Sequence, residues 1–247
     1  MCAAVVSEDP AKTVKNLCRH IVQAIETLSP NREFITIGLS GGSLIKQLSD
    51  ELPNHKQKLD AHIPKLRFLF CDERFVPLDH DDCTYYGFLK NNFFKNLNIP
   101  PENVFPIKAD AENVGKCAAD YESKMKNLLN SNKGFDILLL GIGPDGHTCS
   151  LFPGHKSFID GSNSQSLVIP VCDSPKPPPQ RVTLTLPYIN NSSYLFFCAV
   201  GENKASMLKK ILEDKDLSLP SANVRPASGE GVLKWFIDQA ASKDLKI

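Results

Sequence analysis

The sequence predicts an α/β protein, doubly wound around a mostly parallel sheet with helices on both faces. Three observations carry that expectation. Apolar segments of strand length alternate with segments of helical periodicity, the pattern that parallel strands with crossover helices produce. Several strand segments are apolar almost throughout, notably Phe135-Asp136-Ile137-Leu138-Leu139-Leu140, as strands covered on both faces require. Finally, 247 residues with 42% apolar and 23% charged side chains suffice to bury one core without disulfides or metals. Neither an internal repeat nor a linker-like stretch divides the chain, so a single domain over residues 1–247 is expected.

In chain order, Val14, Leu17, Cys18, Ile21, Ile25 and Leu28 recur at three- and four-residue steps, which makes the first segment an amphipathic helix ended by Ser29-Pro30. A strand follows at Phe34–Leu39, then a helical pattern near 43–52 and a strand at Leu66–Cys71. Helical patterns near 84–97 and 111–130 lead to the apolar strand Phe135–Gly141. Strands at Leu167–Cys172, Arg181–Leu186 and Tyr194–Val200 come next, and helical patterns near 203–213 and 231–242 close the chain. Pro177-Pro178-Pro179 favours an extended backbone that fixes how the chain enters the strand at Arg181.

Composition excludes several partners. Lys+Arg (28) balance Asp+Glu (28), whereas a protein that works on nucleic acid or an anionic membrane normally carries a basic surplus. Any anion site must be local. The eight cysteines are scattered without CxxC spacing, and Met1–Pro10 lacks the basic and apolar regions of an export signal. Reduced thiols in the cytoplasm are therefore expected, and no apolar run is long enough to cross a bilayer.

In open α/β sheets the ligand lies beyond the carboxyl ends of the strands. After the first strand comes Ser40-Gly41-Gly42-Ser43, which reads either as a phosphate cradle opening a helix or as a tight turn with a Ser cap. Gly38-Leu39-Ser40-Gly41-Gly42 also satisfies the G-x-S-x-G pattern of serine hydrolases, but one strand alone precedes it and no His-Gly-Gly oxyanion segment exists. After the next strand, Cys71-Asp72-Glu73-Arg74 offers carboxylates for proton handling and an arginine for an oxyanion or phosphate. Gly141-Ile142-Gly143-Pro144-Asp145-Gly146-His147 formally contains G-x-G-x-x-G, yet Pro153-Gly154 interrupts the helix that a dinucleotide site needs. What the loop does offer is an imidazole two residues after a carboxylate, a base suited to neutral pH. Arg181 and Lys204 add two cations at loop–strand junctions, suited to a phosphate dianion. No Walker motif and no helical zinc pair occurs.

Taken together, Ser40-Gly41-Gly42-Ser43, Cys71–Arg74, Gly141–Phe152 with Pro153, Ser174–Pro187, Leu219-Pro220 and Trp235 resemble the 6-phosphogluconolactonases, within the fold group that includes glucosamine-6-phosphate deaminase. The most specific block is Gly143-Pro144-Asp145-Gly146-His147-Thr148 followed by Ser150-Leu151-Phe152-Pro153, and the resemblance extends from about Phe34 to Ala240. It implies hydrolysis of 6-phospho-D-glucono-1,5-lactone in the oxidative pentose phosphate pathway, with no metal or organic cofactor. By the same resemblance His147 is catalytic, Asp72 and Asp145 orient or support it, and Arg74 serves the oxyanion or the phosphate. Ser40, Gly41, Gly42, Ser43, Arg181 and Lys204 would hold the 6-phosphate. The expected partner is this small phosphosugar lactone, bound by a monomer, with no nucleic acid or membrane. Two departures from the family pattern stand out: Leu44-Ile45 replaces its Thr-Pro, and its Tyr-Gly is here Tyr85-Tyr86-Gly87. A deaminase or isomerase on the same scaffold and a non-catalytic sugar-phosphate sensor are the competing readings.

Overall fold

The computed structural model describes residues 3–128, 134–227 and 232–246. Among them nine strands form two sheets: β1 (Ala3–Ser7), β2 (Ile35–Leu39), β3 (Leu66–Phe70), β4 (Asp72–Arg74), β5 (Ile137–Gly141), β6 (Val168–Val171), β7 (Arg181–Leu184), β8 (Tyr194–Ala199) and β9 (Val232–Asp238). The large sheet has the order β1-β9-β8-β5-β2-β3, and every pairing in it is parallel. The expected doubly wound α/β architecture is therefore present.

Alternation along the strands shows why both faces are covered. On β5, Ile137 and Leu139 join one apolar cluster, with the helices Pro10–Leu28 and Ser43–Glu51, while Leu138 and Leu140 join the other, with Val114–Leu128 and Ala205–Leu212. β8 divides likewise, Phe196 facing one way and Leu195 and Phe197 the other. Successive side chains of a strand point to opposite faces, so a strand buried on both sides reads as a continuous apolar run. Phe197 stacks on Trp235 of β9, ring centroids 3.9 Å apart and planes within 3°.

The first helix runs Pro10–Leu28, with Asp9 Oδ1 accepting from Lys12 N at 2.7 Å as N-cap and Pro10 in the first turn. The pattern near 84–97 is two short helices, Thr84–Lys90 and Phe93–Asn96, separated at Asn92, whose φ is +54°. The pattern near 111–130 forms a helix over Val114–Leu128, and residues 129 and 130 lie outside the described ones.

Three features differ from expectation. The closing pattern near 231–242 is mostly strand: residue 231 lies outside the described residues, β9 takes Val232–Asp238, and only Gln239–Ser242 is helical. Spacing of Leu233, Phe236 and Ile237 fits a helix, but a short run buried on both faces carries no decisive period. β1, unanticipated, pairs with β9 at the sheet edge. Finally, Leu167–Cys172 and Arg181–Leu186 supply β6 and β7, which leave the large sheet and form an antiparallel one with β4, in the order β4-β7-β6.

One polar cluster fixes the two central strands. The Asp136 carboxylate accepts from Thr36 N at 2.9 Å, Thr36 Oγ1 at 3.0 Å and Arg32 Nε at 3.0 Å, and Asp136 N donates to Thr36 Oγ1 at 3.0 Å. Asp136→Ala leaves these donors without their acceptor. A loss of about 2–3 kcal/mol is expected, on the scale of unpaired buried polar groups, read as a lower denaturant midpoint at unchanged slope.

Candidate active site

Strand order reverses between β2 and β5, with β3 beyond one and β8 beyond the other. Such a reversal opens a crevice at the carboxyl ends of the strands, and a cavity of about 350 Å³ occupies it. Nine of the ten residues singled out from the sequence line this cavity: Ser40, Gly41, Gly42, Ser43, Asp72, Arg74, His147, Arg181 and Lys204. The tenth, Asp145, stands behind His147.

The wall after β2 is backbone. Gly42, at φ +74°, turns the chain into the helix Ser43–Glu51 and is its cap residue, with no side-chain capping bond. The Ser-cap reading of this turn is therefore not realised, and the first-turn amides keep the partial positive charge that attracts anions. Gly38 is needed for packing, since a Cβ there would collide with Leu138 and Cys71. Ser40 Oγ is buried without a hydrogen-bond partner, so no base activates it as the G-x-S-x-G reading would demand.

Beyond β3 the chain crosses into the small sheet. Tyr121 Oη fixes this point, accepting from Phe70 N at 2.7 Å and donating to Phe70 O at 3.1 Å. The three charged residues that follow have different duties. Asp72 Oδ2 accepts from Ser150 Oγ at 2.8 Å and lies 4.0 Å from Arg181 Nη1. Glu73 is buried and accepts from the backbone amides of Arg74, Thr84 and Tyr85 at 2.8–2.9 Å, capping the helix Thr84–Lys90. Burial pushes its carboxyl up against the pull of those amides. Arg74 donates from Nη1 to Asp82 O at 2.7 Å and keeps a buried, unpartnered Nε.

Arg74 sits opposite Arg181 in the β4–β7 register. Arg181 is held from behind by the proline-rich loop, donating to Pro178 O at 3.0 Å, Lys176 O at 3.1 Å and Pro177 O at 2.8 Å. Its guanidinium carbon lies 5.8 Å from the centroid of the Phe152 ring. Lys204 donates to Ile142 O at 3.0 Å, and burial, then the nearby Lys176 charge, lowers its proton affinity.

After β5, the turn closes with Gly146 N on Gly143 O at 3.0 Å and Gly143 N on His147 O at 2.9 Å. His147 Nδ1 lies 2.5 Å from Asp145 Oδ1, and the ring packs against Phe152 with centroids 4.7 Å apart. The carboxylate that touches the imidazole is thus Asp145, not Asp72. Burial would raise the Asp145 carboxyl, but hydrogen bonds from His147 and Lys176 outweigh it and hold it at about 2. For His147 burial dominates and lowers the imidazole below its ordinary value, with Asp145 opposing and Lys176 assisting. Lys176 is the group that sequence reasoning missed: its Nζ lies 2.9 Å from Asp145 Oδ2 and 3.2 Å from His147 Nδ1. The available signal was a lysine clamped between Pro175 and Pro177.

A doubly wound parallel sheet with a cleft at its switch point defines an α/β fold of the ligand-binding kind. The sequence matches the profile of glucosamine-6-phosphate isomerases/6-phosphogluconolactonase over residues 8–235. The chain belongs to that family. It is 42% identical to the rat 6-phosphogluconolactonase over 246 residues, covering 98% of this chain and 93% of that protein. Identity to the human 6-phosphogluconolactonase is 43% over 224 residues, 89% of this chain and 84% of that one. The solved 6-phosphogluconolactonase of Trypanosoma cruzi superposes with a TM-score of 0.84 at 28% identity, covering 100% of this chain and 98% of the other.

A side chain at Gly143 would collide with the His147 ring, because its Cβ would lie 2.0 Å from Cε1 and Nδ1 and 2.5 Å from Asp145 Oδ1. Gly143→Ala is expected to displace the imidazole from Asp145 and to cost about 1–3 kcal/mol from overpacking. Loss of the downfield Nδ1 proton resonance would report the displacement, and a retained resonance would show that the methyl is accommodated.

Proposed function

We propose that the protein hydrolyses 6-phospho-D-glucono-1,5-lactone to 6-phospho-D-gluconate, the second step of the oxidative pentose phosphate pathway, with His147 as the proton-transfer group. The observation that carries this reading is the His147–Asp145 pair: Nδ1 is engaged by an ionised carboxylate, while Nε2 has no hydrogen-bond partner among the described residues and the ring lines the cavity. A carboxylate at Nδ1 draws the ring proton to that side and leaves the lone pair on Nε2. Nε2 takes a proton from water as its oxygen attacks the lactone carbonyl, and the carbonyl π electrons move to oxygen. Collapse of the tetrahedral oxyanion breaks the bond to the ring oxygen, which recovers the proton from the imidazolium. One water is consumed, one hydroxyl and one carboxyl group are formed, and the carboxyl then releases its proton to solvent to become the carboxylate.

The 6-phosphate is assigned to the Ser40-Gly41-Gly42-Ser43 turn with Arg181 and Lys204, which all line the same cavity. Binding a group remote from the reaction positions a neutral carbonyl for attack. Asp72, held by Ser150, keeps Arg181 in place and adds negative potential near His147. Arg74, which lines the same cavity, is assigned to the oxyanion or the phosphate. The chain is taken to act as one lactonase domain, as a monomer in the cytoplasm, where its described cysteines remain free thiols.

Assay of freshly generated lactone, corrected for spontaneous opening, tests the reading. Wild type is expected to turn it over and His147→Ala to lose about 10²–10⁴-fold in kcat, while 6-phosphogluconate still binds within a few-fold. Turnover of glucosamine 6-phosphate alone would overturn it. Arg74→Ala separates two roles: a raised KM at unchanged kcat assigns it to phosphate, a lowered kcat to the oxyanion. Because burial lowers the imidazole, the acid limb of kcat/KM should fall below the ordinary histidine value of about 6.5.

A further inference from the structure

We propose that Lys176 is a positioning residue for the His147–Asp145 pair: its ammonium anchors Asp145 Oδ2 and stands beside the ring, so that the imidazole rests neutral. The inference rests on the hydrolytic role given to His147 above. Its foundation is a three-body contact, with Lys176 Nζ 2.9 Å from Asp145 Oδ2 and 3.2 Å from His147 Nδ1, while Asp145 Oδ1 lies 2.5 Å from that same nitrogen.

The lysine is placed by its backbone. Its carbonyl accepts from Arg181 Nη2 at 3.1 Å and Ser174 Oγ at 2.8 Å, and its amide donates to Ser174 Oγ at 3.2 Å. Prolines 175 and 177 flank it and restrict the dihedrals on either side.

Charge arithmetic gives the consequence. A buried imidazole beside a lone carboxylate is driven toward the imidazolium, since the two then form a neutral ion pair. With Lys176 present, the carboxylate already has its counter-ion, and a proton on the ring would leave a net positive charge facing an ammonium. The other charges bearing on the ring are Asp72, which favours the proton from across the cleft, and Lys204, which shares the field of Lys176 and Asp145. A base so restrained is also a stronger conjugate acid, which suits the return of the proton to the departing ring oxygen.

The test uses the full chain and two readouts. Lys176→Met should raise the NMR titration midpoint of the His147 imidazole by about one pH unit, a tenfold loss of free base below the limb, and the acid limb of kcat/KM should move with it. Lys176→Arg, which keeps the charge, should restore both toward wild type. The His147 resonance is assigned by its absence in His147→Ala. A midpoint that stays or falls in Lys176→Met overturns the proposal, even when activity drops. Should the wild type fail to open the lactone, the midpoint still decides: an upward shift supports the electrostatic role, and none refutes it.

Discussion

Thr36 and Asp136 lock the two strands from which the cleft is built. Their hydrogen bonds lie at the entry to β2 and β5, and they set a register in which Ile37, Gly38 and Leu39 face Ile137, Leu138 and Leu139. Gly38 lets Leu138 close against β2. At the far ends of the same strands the chain turns into the Ser40–Ser43 loop on one side and the loop bearing Asp145 and His147 on the other. A slip of one residue would invert every side chain of a strand and carry one loop past the other. The relative height of the Ser40–Ser43 turn and the His147 imidazole is therefore decided at the opposite end of the strands.

The small antiparallel sheet supplies what the parallel one cannot. Its register sets Arg74 opposite Arg181, two like charges side by side. Such a pair persists because each guanidinium is tied to backbone carbonyls behind it, Arg74 to Asp82 and Arg181 to the proline-rich loop. A chain of zero formal net charge thus concentrates positive potential in one cleft, where low-dielectric walls strengthen it.

Much of this was legible in the sequence, for particular reasons. Ser40–Ser43, Asp72, Arg74, Asp145 and His147 stand directly after apolar strands, where an α/β sheet puts its ligand. The register of partners was not legible. Asp72 and Asp145 were equal candidates to touch His147 until the turn at Gly143 brought Asp145 against the ring. Lys176 reaches the pair from a loop 29 residues away, a separation that carries no periodic signal. β4 has three residues, too few to show alternation, so the second sheet was hidden, and β9 was mistaken for a helix because a strand buried on both faces lacks the polar face that would betray its period.

The stack of Trp235 on Phe197 gives the protein a built-in optical gauge. Trp235 is the one tryptophan in the chain, it is 1% exposed, and its indole lies flat against Phe197 of the adjoining strand. It is absent from the lining of the cleft. Its emission accordingly reports whether β8 and β9 are joined and water is excluded, which makes fluorescence a measure of folding that stays largely indifferent to what occupies the cleft.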